Sequence, residues 1–230
     1  MRYFVAILFF IFTIPFVFAQ EVPEKEVDSL YKEDQFYAGV TYNLLANIPE
    51  GLSQSGFSLG FHLGFIKDMP INTRRNVAIG VGLGYSANSF NQNLLISRDE
   101  QNDFEYSILD DSATYSKNKF STHLIEIPIE FRWRTSTPTE YNFWRIYTGF
   151  KLGYVFSNTS KYLGGLEDLK YTNIQDFNTV QYGFTLSAGY NTWNFYLYYA
   201  LNPIFSNEAK INGSVIDTNA IKIGLMFYIL

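Results

Sequence analysis

Apolar and polar residues alternate with period two along most of this chain, the pattern of strands whose two faces meet different surroundings. From Gly56 to Lys67, Phe57, Leu59, Phe61, Leu63 and Phe65 share one face, while Ser58, Gly60, His62 and Gly64 share the other. From Asn76 onward, Val77, Ile79, Val81, Leu83 and Tyr85 alternate with Ala78, Gly80, Gly82, Gly84 and Ser86. The stretch LIEIPIEFRW, Leu124 to Trp133, sets Ile125, Ile127, Ile129, Phe131 and Trp133 against Glu126, Pro128, Glu130 and Arg132. The same rhythm returns from Trp144, Val180, Phe195 and Ile221, and more weakly from Phe36. These eight segments predict eight strands of about 10–13 residues, long enough to cross a bilayer at a tilt, in the even number that bacterial outer-membrane barrels use.

A water-soluble sandwich also alternates, and two features separate the cases. The second face is mostly Gly, Ser, Ala and Thr with a few charges, which suits a cramped interior better than a solvent coat. The three tryptophans, Trp133, Trp144 and Trp193, all fall on the oily face beside expected short turns, as in an interfacial aromatic girdle. The predicted fold is therefore all-β: an eight-stranded antiparallel up-and-down transmembrane β-barrel over residues 36–230. Its outer face meets outer-membrane lipid. Connections 47–55, 89–120, 158–179 and 206–217 are expected outside the cell. Segments 68–75, 135–142 and 192–194 are expected as periplasmic turns, with both termini periplasmic.

Composition adds an export route. Arg2 is followed by an uncharged apolar run to Phe18, with Val17 and Ala19 where a signal peptidase accepts small residues, so residues 1–19 read as a signal peptide. Residues 20–35 are acidic and aperiodic and read as a flexible periplasmic leader. Losing Arg2 with the signal takes the formal net charge from −5 to −6, which disfavours nucleic acid as a partner. The chain has no cysteine, so disulfides, thiolate metal sites and cysteine nucleophiles are excluded.

With lipid outside, the charges of LIEIPIEFRW point into the lumen and need partners there. Glu126, Glu130, Arg132, Arg134, Arg145, Lys151 and Lys222 read as a structural salt-bridge network. Two registers suit the next strand. Pairing Trp133 with Trp144 sets Glu126 opposite Lys151 and Pro128 opposite Gly149, whereas a slip of two residues sets Glu130 opposite Arg145. Pro128 lacks an N–H, and a closed barrel has no free edge to hide that loss, so a bulge is expected there.

Candidate chemistry is thin. His62 falls among lumen glycines, and His123 falls near the rim below the acids Asp99, Glu100, Asp103, Glu105, Asp110 and Asp111. Neither has ligand or triad spacing, so the expectation is a non-enzyme with no catalytic residues, metal, cofactor or small-molecule substrate.

LIEIPIEFRW resembles the Leu-Glu-Ile-Pro strand of the PorT-like outer-membrane β-barrels of Bacteroidota. The likeness in size, signal peptide and strand rhythm extends from about Phe36 to Leu230. Within that group, TPTEYNFWRIYTGFKLGYVF and the ending IKIGLMFYIL resemble the PorT/SprT branch. The resemblance implies a part in the type IX secretion system, which exports cargo bearing a C-terminal signal domain, with other secretion-system proteins as partners and a possible tie to gliding. A structural or adhesive barrel unrelated to secretion is the alternative.

Overall fold

The computed structural model describes residues 32–110, 112–137, 143–165 and 168–229. The signal peptide and most of the acidic leader lie outside the described residues. Eight strands close into an antiparallel barrel: β1 (Gln35–Ala46), β2 (Leu59–Pro70), β3 (Val77–Asn91), β6 (Tyr115–Arg134), β7 (Trp144–Gly164), β9 (Val180–Tyr190), β10 (Trp193–Ala200) and β13 (Asn219–Ile229). Each pairs with its predecessor, and β1 pairs with β13 to close the ring, so no barrel strand has a free edge. Five short strands lie within the connections at one end: β4 (Leu94–Arg98), β5 (Phe104–Ile108), β8 (Leu169–Thr172), β11 (Lys210–Ile211) and β12 (Ser214–Val215). That end is the loop end, and the end with the short connections is the turn end.

Alternation does what the sequence pattern asks. Glu126, Glu130, Arg132 and Arg134 of β6 are buried, while Ile125, Ile127, Ile129 and Phe131 between them are exposed on the outer wall. Trp133, Trp144 and Trp193 lie on that wall at the turn end, and Trp144 and Trp193 sit against Tyr190 and Phe227 with ring centroids 5.3 and 4.8 Å apart.

On β3, β6 and β7 the loop end inverts this polarity, whereas Phe57, ahead of β2, stays exposed. Beyond Leu124, the outward residues of β6 become His123, Ser121 and Lys119, and the inward ones include Phe120. In β3 the wall passes from Leu83 and Tyr85 to Ser89 and Asn91, with Phe90 turned in. In β7 the crossover falls on a bulge. Leu124 pairs with Val155 and His123 with Ser157, so Phe156 is the extra residue, and Asn158 is the next to turn inward. The interior above the crossover is an apolar cluster in which Phe120 stacks on Phe90 at 5.0 Å and meets Phe177 and Phe205 at 5.5 and 5.4 Å.

The long connections carry structure of their own: the acidic 89–120 segment holds the β4–β5 hairpin, and 206–217 holds β11–β12, turned by Asn212–Gly213 with both φ angles positive. Two expectations are corrected here. The β6–β7 register is neither of the two expected. Trp133 pairs with Ile146, Pro128 with Lys151 and Arg134 with Arg145. Pro128 carries no bulge either. The β6–β7 ladder runs through it, and the β3–β6 ladder skips from Val81↔Ile129 to Gly84↔Glu126 with equal residues on both strands. A missing N–H removes a bond but inserts no residue, so the register survives the gap.

Candidate functional site: a filled lumen beneath a closed cap

The lumen is stacked in layers, and the turn-end layer is ionic. Asp68, near the end of β2, is fully buried and accepts hydrogen bonds from Arg132 Nη1 at 3.0 Å, Arg134 Nη1 at 2.7 Å and Arg134 Nη2 at 2.7 Å. Arg132 also donates to Glu130 at 3.1 Å, to Gln35 at 2.8 Å and to the Glu33 carbonyl at 3.3 Å, and its guanidinium lies 4.4 Å from the Tyr147 ring centre. Arg134 donates further to the Arg75 carbonyl. Two arginines on one β6 face, two residues apart, converge on one carboxylate because β3 lies between β2 and β6: Asp68 and Glu130 flank Gly80 from either side, and Arg132, opposite Ala78, reaches across it. A Cβ at Gly80 would lie 2.9 Å from Arg132 Cδ, so the glycine makes room for the side chain.

Arg145 joins this layer differently. It faces Arg134 across the ladder and, among the described residues, makes no ion pair. Its charge rests 4.4 Å over Phe143 and 5.6 Å from Tyr228.

The middle layer centres on Glu126. Its carboxylate accepts from Ser86 Oγ at 2.8 Å and forms an ion pair with Lys151 Nζ at 3.0 Å. Lys151 sits opposite Pro128, so it reaches Glu126 along the diagonal of the ladder and not straight across. His62 Nε2 hydrogen-bonds Thr41 Oγ1 at 3.1 Å, and its other nitrogen stands 3.8 Å from Glu126, beyond hydrogen-bond reach. Lys222 lies 4.7 Å over the Tyr198 ring, and Lys151 lies 5.1 Å from that of Tyr196.

Above both layers stands the apolar cap, tied down by amide side chains. Asn178 donates to the carbonyls of Pro203 and Phe205, Asn158 brackets Ile174 with two hydrogen bonds, and Asn118 donates to the Leu94 carbonyl. Tyr106 donates to Asp176 at 2.9 Å, pinning the β4–β5 hairpin to the connection after β8. Burial, together with that carboxylate, pushes the Tyr106 phenol well up, so it stays a neutral donor.

The structure therefore brings Glu126 to Lys151 and Glu130 to Arg132, while Arg145 and Lys222 rest against rings. The sequence reading missed Asp68, placed there in a turn, and Glu33 and Gln35, placed there in the leader. Both leader residues are buried, and the Glu33 N–H approaches Asp68 at 3.4 Å. The parity running from Ser58 through His62 to Asp68 was the available signal. The two histidines lie on opposite sides of the wall: His62 is inside, and His123 is outside with Nδ1 2.6 Å from the Tyr85 hydroxyl.

A closed eight-stranded barrel with an oily outer wall, a charged filled lumen and long connections at one end defines a small outer-membrane-type barrel protein. The chain belongs to the outer membrane protein beta-barrel domain family, whose sequence profile matches residues 18–206, more than half its length. Among curated proteins, none matches the chain. A similar solved structure is that of Ail, the attachment invasion locus protein of Yersinia pestis. It is 10% identical, the likeness covers 87% of this chain and 100% of that one, and the TM-score is 0.32. At that score the likeness carries no argument about this chain.

Proposed function

We propose that this protein is a non-enzymatic, non-conducting outer-membrane barrel that works through its surfaces, with the loop end outside the cell and the turn end in the periplasm. The observation that carries this reading is the filled lumen. Buried ionic layers around Asp68 and Glu126 occupy the turn half, and the phenylalanine cluster closes the loop half. An eight-stranded barrel is just wide enough to be filled by its own side chains, and the inward side chains here are buried from the turn end to the cap. The long connections at one end and short turns at the other support the orientation.

The finer reading is a component of the type IX secretion system. It rests on the resemblance of LIEIPIEFRW and of the segments around Trp144 and the C-terminus to PorT-like barrels. Deleting the gene in its host and comparing secreted and surface proteins tests it: selective loss of C-terminal-signal cargo, restored by the gene, is expected. Unchanged cargo export removes the secretion role.

One observation favours an adhesive barrel instead. A polar cavity of about 510 Å³ opens among the outer connections, lined by Arg98, Asn102, Phe104, Asn173, Asp176 and Glu208. Loss of surface binding on Arg98→Ala with export intact supports that second reading. Purified wild type in a planar bilayer is expected to pass no steady current, and a stable unitary conductance overturns the non-conducting assignment.

A further inference from the structure

Three lysines stand in a row on the outer wall of the loop-end extension. Lys119 pairs directly with Lys161, and Lys161 with Lys170, across β6, β7 and β8. The next row toward the membrane is all hydroxyl: Ser121 pairs with Thr159, and Thr159 with Thr172. Like charges set directly opposite one another in a sheet destabilise it. Among the described residues, none of the three lysines makes an ion pair. Their inward neighbours Phe120 and Tyr162 are buried in the cap, so the row faces away from the protein.

The height of the row is fixed by the polarity inversion. The oily wall ends at Ile125, Tyr154 and Phe156, and His123 and Tyr85 meet at that edge. Lys119 lies four residues beyond His123, about 13 Å along the strand at ~3.3 Å per residue. At a strand tilt of about 35–45° that is about 10 Å above the oily edge, within a lysine side chain's reach of the headgroup zone of the leaflet on this side. Beside the row, a cavity of about 400 Å³ runs down the same wall. Apolar Phe57, Leu59, Phe61 and Ala87 share its lining with polar residues including Asn88, Ser89 and His123, and Phe57 stands level with Lys119, whose partner Asn91 donates to the Phe57 carbonyl. Three ammoniums over a hydroxyl row at this height match an anionic, sugar-bearing lipid headgroup.

We propose that the Lys119–Lys161–Lys170 row binds the phosphorylated headgroup of an outer-leaflet glycolipid. The leaflet assignment rests on the orientation proposed above. Phosphate oxygens shared among three ammoniums convert a repulsive row into a bridged one, and the hydroxyl row below supplies neutral donors to the sugar.

The test uses the purified protein in phosphatidylcholine nanodiscs doped in both leaflets with phosphorylated lipid A, so the result does not depend on orientation. Native mass spectrometry counts the lipid A retained. Wild type is expected to retain phosphorylated over dephosphorylated lipid A by about tenfold, with the preference shrinking as salt rises. The K119Q/K161Q/K170Q variant is expected to lose the preference. In nanodiscs without lipid A it is expected to melt at or above the wild-type temperature, which shows that it folds and that the row is repulsive when empty. Equal retention by the variant, or equal retention of the dephosphorylated lipid or of phosphatidylglycerol, overturns the proposal. So does inorganic phosphate alone if it raises the wild-type melting temperature as much as lipid A does. Orientation is read separately, by biotin labelling of Lys170 on intact cells. Failure there with lipid binding intact moves the site to the other leaflet and removes the orientation, not the headgroup chemistry.

Discussion

Below the crossover at His123 and Phe156 the barrel is oily outside and ionic inside, and above it β3, β6 and β7 are polar outside and oily inside. The two halves share their strands, joined through the β7 bulge at Phe156, and differ in what surrounds the wall. In lipid, apolar side chains gain nothing by pointing in, so the interior is left to charges that must satisfy one another. Beyond the lipid, water covers the wall, and the hydrophobic effect again drives Phe90, Phe120, Phe177 and Phe205 inward. The lesson is that the turn half is held by a few directional contacts of high individual weight, and the loop half by many contacts of low weight.

This difference is sharpest at Asp68. Asp68→Ala strands Arg132 and Arg134 without their shared carboxylate, and a loss of about 3–5 kcal/mol is expected. Urea unfolding in detergent micelles, read by the shift in gel mobility on boiling, measures it. A loss under about 1 kcal/mol means that water replaces the carboxylate and the layer is not a sealed one.

Phe120→Ala is expected to cost about 3–4 kcal/mol, but to loosen the cap alone. Limited proteolysis should then cut within the β4–β5 hairpin while the barrel keeps its boiling-dependent mobility. If the whole barrel melts instead, the two halves are one cooperative unit. A smaller effect tests how tightly the lumen packs. A Cβ at Gly84 would run into Tyr37 Oη, so Gly84→Ala is expected to cost about 1–3 kcal/mol and to be partly rescued by Tyr37→Phe. The smallest effect is the diagonal ion pair. Glu126→Gln and Lys151→Met are expected to couple by about 1–2 kcal/mol in a double-mutant cycle, and strict additivity would show that the pair acts independently.

Much of this was legible in advance because alternation fixes a side chain's face wherever the strand's ends lie. It put Glu126, Lys151, Lys222 and Arg145 inside and all three tryptophans outside. Register is another matter. Any slip of two residues preserves both faces, so the pairing of Trp133 with Ile146 over Trp144 depends on where the connection between Thr135 and Phe143 closes. Asp68 was hidden by its neighbours, since Lys67-Asp68-Met69-Pro70 has the composition of a turn although β2 runs through it. The cap hairpin was masked similarly. Leu94 and Ile96 alternate inward opposite Ile108 and Tyr106, but the acids at Asp99, Glu100 and Asp103 dominate the segment's composition.

The polarity inversion also has a kinetic consequence. With the loop end outside, as proposed, Lys119 and Lys161 cross the hydrocarbon once during assembly. A lysine on a lipid-facing wall costs roughly 2–4 kcal/mol at the bilayer midplane and little at its edge. Once these ammoniums have emerged, withdrawing the barrel means dragging them back with the phenylalanine plug in tow. The inverted half thus behaves as a barb: easier to push through during assembly than to pull out afterwards.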